Sequence, residues 1–196
     1  GDRLDSARRQ RLLEKMTLQG NRFFDLLLLN RDYWGGSLLQ DHGWRSLWAF
    51  GTAALHLYGI IPEAAGWLQY LMPRLDRSLH AMPRDGIIPP SSHRSPWLYL
   101  FDPAQYRDTL LSLGGPDIYR QGPFAPVTEY LMLINPVREG IRQDVDCIAD
   151  RLIGPSVFLA RMAADHRDGR AAWLIEEMLH RTNWDAVADF VRSTDR

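Results

Sequence analysis

The residues of this chain best suited to chemistry fall in two places. The first is Asp41-His42-Gly43-Trp44-Arg45. His42 and Arg45 stand three apart, so on a helix they share a face. A predicted helix begins here, and its free N–H groups and positive dipole end add to the pair. That assembly suits an anion, a carboxylate above all. The same residues also fit a plain structural reading, in which Asp41 caps the helix, His42 packs and Arg45 is solvated. The second place is the stretch from Asp85 to Tyr99, which puts His93, Arg94, Trp97 and Tyr99 on one long loop rich in proline. Loops held by a rigid scaffold commonly carry function. Trp97 offers a flat face for a ring, and Tyr99 a phenol that nearby cations would make a better proton acceptor. The structural alternative has Trp97, Leu98 and Leu100 plugging the loop onto the core.

Other familiar chemistries find no support. There is no H-E-x-x-H spacing and no Cys/His cluster, so a metal site is not motivated. G-x-S-x-G, P-loop and G-x-G-x-x-G patterns are missing as well. No cofactor is expected. His166, after Asp165, reads as part of a surface turn, and the Trp44/Trp48 pair reads more readily as core than as a ligand box.

The elements that must position these residues are helical. Asp5–Asn30 reads as one helix or two, with Leu12, Met16, Phe23, Leu26 and Leu27 near a 3.6 period and Gly20 weakening the middle. A second helix is predicted over Gly43–Tyr58, ended by Gly59. A third starts at Pro62-Glu63 and runs to Met82, with Pro73 expected to kink or split it. After the Pro83–Pro96 loop, the spacing predicts a short helix over Asp102–Leu113, a loop over Gly114–Pro126 and a helix or strand over Val127–Ile134. A hairpin of Ile153–Ala164 with Gly169–Arg181 and a last short helix over Asp185–Arg192 follow. No stretch shows convincing strand alternation. The reading is all-α: helical hairpins separated by loops rich in proline and glycine, an architecture that suggests a solenoid or toroid.

Composition bounds the rest. The chain has 196 residues, 45% of them hydrophobic and 24% charged, which excludes wholesale disorder and suggests one domain, possibly two. Lys+Arg 23 against Asp+Glu 24 leaves a net charge of -1, so a dedicated nucleic-acid binder is not expected. The single cysteine, Cys147, excludes an internal disulfide. No apolar run approaches the roughly 20 residues that span a bilayer. Gly1–Gln10 is charged and lacks the apolar stretch of a signal peptide.

Several segments together resemble the N-terminal α/α-toroid domain of the heparinase II/III-like polysaccharide lyases. They are Asp41–Arg45 with the alanine-rich helix that follows, Tyr58–Ala64 with Trp67-Leu68, and Asp85-Gly86 leading into an aromatic loop. Leu111–Tyr119 with Pro123-Phe124, and Ala160–Ala163 with the helical pair up to Trp173, complete the set. The order is co-linear from about Gly20 to Met178. The resemblance implies an (α/α) toroid or an open part of one, since a closed ring of six hairpins needs on the order of 200 residues in helices and loops. It also implies cleavage of an acidic polysaccharide by β-elimination, and a periplasmic or secreted location. His42 matches the family position that neutralises the uronate carboxylate, with Arg45 beside it where some members carry Glu. Tyr99 matches the catalytic tyrosine after the Asp-Gly loop, with His93 as the alternative base. Trp44, Trp97, Arg94 and Asp41 complete the implied substrate contacts. The family's downstream β-sandwich is not in this sequence, so the chain is expected to be an open arc or a piece of a longer enzyme, and an oligomer is plausible.

Two other readings compete. One is a non-catalytic carbohydrate-binding or scaffold module, favoured by the Pro89–His93 sequence that replaces the family's usual loop. The other is an inverting glycoside hydrolase with Asp41 and Asp85 as its carboxylate pair.

Overall fold

The computed structural model describes residues 5–29, 38–39, 41–86, 98–120, 122–134, 148–181 and 185. Every regular element among them is helical. The chain divides into two compact units, Gly1–Ser78 and Leu79–Arg196. His93, Arg94, Trp97 and the predicted helix after Asp185 lie outside the described residues.

The first unit is built on α1 (Ser6–Leu29), α2 (Asp41–Leu57) and the start of α3 (Glu63–Ala81). Asp5 caps α1, its Oδ1 accepting from the Arg8 N–H at 2.8 Å. α1 is a single helix, and the glycine in its middle, Gly20, stands where a side chain has no room. A methyl there would enter the ring edge of Trp67 on α3. The covered stripe of α1 runs through Leu13, Met16, Gly20, Phe24 and Leu27, while Leu12 and Leu26 of the predicted stripe are exposed at 46% and 40%. The close approach at Gly20 sets the rotation of the helix.

Trp67 is locked from several sides. Its Nε1–H donates to Asn21 Oδ1 at 3.1 Å, and its ring lies 5.2 Å from that of Phe50 on α2. Phe23 meets Phe50 at 4.9 Å, and Tyr70 donates its hydroxyl to the Leu27 carbonyl at 3.3 Å. Gly20→Ala should therefore destabilise the protein. Overpacking costs about 1–3 kcal/mol, more than the roughly 1 kcal/mol gained in helix propensity, because the indole has no room to retreat. A thermal melt of the variant checks the sign.

α2 buries Trp44, Leu47, Trp48, Ala54 and Leu55, a helical stripe along one face. It ends as predicted at Gly59, whose φ of 77° is the left-handed conformation a glycine takes at low cost. α3 runs unsplit to Ala81 with Pro73 inside it.

The second unit holds α4 (Leu98–Ser112), two 3-10 turns (Ile118–Arg120 and Gly122–Phe124), α5 (Val127–Ile134), α6 (Ile148–His166) and α7 (Gly169–Arg181). α4 packs chiefly on α6, and α6 and α7 form the predicted hairpin. Arg167, at φ 55°, makes the turn between them, and the Asp168 N–H reaches back to the Met162 carbonyl at 3.1 Å. Asp168 then caps α7, accepting from the Arg170 N–H at 3.0 Å. Val127–Ile134, open between helix and strand in the sequence, is helical. α4 begins four residues before the predicted Asp102, which takes Tyr99 off the loop and into the first helical turn.

Candidate functional site

The first turn of α2 keeps the features that pointed to an anion. His42 and Arg45 are both exposed, three residues apart on one side of the helix. Asp41 is the first helical residue, although its side chain lies outside those described. Trp44, between them, is fully buried and sits 5.5 Å from Trp48, ring to ring. That is the core placement: an indole with no exposed face offers no stacking surface, so Trp44 is corrected from a sugar contact to a core residue. The physical reason is the helical period, which turns Trp44, Leu47 and Trp48 to the inside and leaves His42 and Arg45 outside.

Tyr99 belongs to the other unit and is 2% exposed. A phenol so deeply buried is not presented to a polymer in this conformation. Asp85, the other carboxylate of the hydrolase reading, is exposed just before Gly86.

The densest charged cluster of the second unit was not singled out by its residue types. Arg107 on α4 is buried, 1% exposed. Its Nε donates to Asp117 Oδ1 at 2.6 Å and its Nη2 to Asp117 Oδ2 at 2.8 Å, a two-pronged pair. Its Nη1 donates to Asp165 Oδ2 on α6 at 2.7 Å. Arg161, one turn before Asp165, holds Asp108 through Nε and Nη2 at 2.6–3.0 Å. His166 Nε2 lies 3.1 Å from Asp117 Oδ2, inside the cluster rather than on the expected surface turn. The Arg107 guanidinium stacks 4.7 Å from the centre of the Tyr119 ring.

A trace of this cluster was available in the sequence. Arg107 falls on the buried stripe Leu100, Ala104, Arg107, Leu110, and a charge on such a stripe needs partners. Which carboxylates supply them depends on residues ten and fifty-eight positions away. The guanidinium groups point at carboxylates of their own chain, so the arrangement reads as a tie between α4, the 3-10 turn and α6. The hydrogen bonds from Arg107 hold the Asp117 carboxyl down to about 2. The burial of Tyr119 pushes its phenol far above the ordinary range.

The Asp117 shift gives a pH dependence. A carboxyl whose folded value lies below its unfolded one contributes stability that is complete above about pH 4 and is lost as pH falls through 2. Unfolding free energy should therefore drop between pH 5 and 2, and the drop should be shallower in Asp117→Asn. Denaturant titrations across that range measure both slopes.

Among the described residues no group of His, Cys, Asp and Glu is placed to hold a metal ion, and no helix is long and apolar enough to cross a membrane. No family model, curated protein or solved structure matches this chain.

Proposed function

We propose that this chain binds a uronic-acid-containing polysaccharide through the first turn of α2 and serves as the helical domain of a β-eliminating lyase. The observation that carries the reading is the contrast within that turn: Trp44 is withdrawn completely while His42 and Arg45 stand in solvent on one side. The Arg45 fork can take a carboxylate in two parallel hydrogen bonds. His42 beside it can stabilise the charge that develops when the proton on C5 of the sugar leaves. In that step a base takes the C5 proton, its electron pair forms the C4–C5 double bond, the C4–O bond breaks, and the departing oxygen is protonated. The segments similar to heparinase II/III-like lyases support the same reading. For the base the resemblance offers Tyr99 or His93.

A second reading has its own observation in favour. Tyr99, the tyrosine matched to the family's catalytic position, is buried, which suits a carbohydrate-binding module without turnover.

The test is absorbance in the unsaturated-uronate band with heparin-like, alginate and pectic polymers. A rise reduced about 100-fold or more in His42→Ala is the expected result. A flat trace with polymer retained on the folded protein selects the binding module. A flat trace without retention overturns both.

A further inference from the structure

We infer that an open groove beside the start of α1 is a second contact site, which takes a hydroxyl-bearing carboxylate, one acidic sugar unit. The groove, about 640 Å³, is lined by Ser6, Arg9, Gln10 and Leu13 of α1 and by Gly59 and Ile60 of the turn after α2. That volume lies in the range of small-molecule sites.

The four α1 residues follow helical spacing and continue the covered stripe of that helix toward its beginning. From Leu13 onward the stripe is mostly apolar or small and packs within its own unit. At Arg9 and Gln10 it becomes polar and exposed, just where the groove opens. The Arg9 guanidinium fits a carboxylate through two N–H groups. The Gln10 side-chain amide donates to Glu14 Oε1 at 3.0 Å, which leaves its carbonyl oxygen to accept from a hydroxyl. Leu13 and Ile60, the latter 50% exposed, supply the apolar wall that the C–H face of a sugar ring would cover. Gly59 lines the groove beside Ile60 with backbone alone.

Charge complementarity selects the occupant. Of the residues that line the groove, Arg9 carries a positive charge and none is acidic. The backbone end of the helix is not the attraction, because Asp5 already engages the Arg8 N–H. The choice of an acidic sugar as ligand rests on the acidic-polysaccharide reading above, while the groove is distinct from the His42–Arg45 turn.

Amide and side-chain NMR shifts of the full chain test the inference. The probes are tetrameric oligosaccharides of galacturonate, glucuronate-containing disaccharide units and mannuronate, with maltotetraose as the neutral control. Arg9→Gln and Ile60→Glu alter exposed side chains and should leave the melting temperature unchanged. Saturable shifts at Arg9, Gln10, Gly59 and Ile60 with at least one uronate, absent with maltotetraose and weakened tenfold or more in both variants, are the expected result. Shifts confined to the His42–Arg45 turn overturn the groove and leave the proposed function standing. Groove shifts without any at His42 and Arg45, and without retention or turnover of polymer, retain the groove and overturn that function. Equal response to the neutral sugar, or no shift at all, overturns the inference.

Discussion

Arg107→Ala should lower the unfolding free energy by about 3–5 kcal/mol, the range seen when one partner of a buried ion pair is removed. The guanidinium is almost wholly withdrawn from water and makes hydrogen bonds of 2.6–2.8 Å to Asp117 and Asp165. Removing it leaves the Asp117 carboxylate, whose side chain is only 12% exposed, with its main countercharge gone. It also leaves a void over the Tyr119 ring. Arg107→Lys should recover little, because an ammonium cannot reproduce the two-pronged contact with Asp117 while reaching Asp165. Urea denaturation read by far-UV circular dichroism is the measurement. A loss below about 1 kcal/mol, typical of a surface ion pair, would show that the tie is not formed as described.

Gly86→Ala is expected to cost on the order of 3 kcal/mol, combining left-handed strain with overpacking. Gly86 has φ 76°, and a Cβ added there would lie 2.7 Å from both the Pro126 carbonyl carbon and the Val127 nitrogen. Both are backbone atoms at the entry of α5, so no side-chain rotation relieves the clash. Gly114→Ala is the internal control. It has nearly the same φ, 77°, but nothing within 4 Å of the added methyl, so only the strain of about 1 kcal/mol should appear. Equal melting temperatures for the two variants would refute the close approach at Gly86.

Both predictions turn on neighbours distant in sequence, which is where reading the chain alone stopped. The helical hairpins were legible because their apolar residues recur at helical spacing and because Gly59 and Pro62 mark the turn between α2 and α3. Pro73 was expected to kink or split α3, and the helix is not split but continues through it to Ala81. The boundary of α4 was misplaced. The proline-rich stretch up to Pro96 read as a loop that carried on through Tyr99, whereas the packing of Tyr99 and Leu100 draws the helix back to Leu98.

The candidate site was legible in the same uneven way. The pairing of His42 with Arg45 needs only the helical period, and both are where that period puts them. Trp44 was read as either core or sugar platform, and the burial of its stripe decided for core. His166 looked like a turn residue because Asp165 precedes it. Its place 3.1 Å from Asp117 follows from the packing of α6 on α4, which no local pattern records.

The sequence by itself determined the all-helical class, the hairpin turns and the sidedness of α2, because periodicity, caps and left-handed glycines act within a few residues of one another. Only the tertiary structure decided which charges are paired, which aromatics are withdrawn and which glycines are irreplaceable. Those outcomes depend on atoms brought within about 3 Å from helices far apart along the chain.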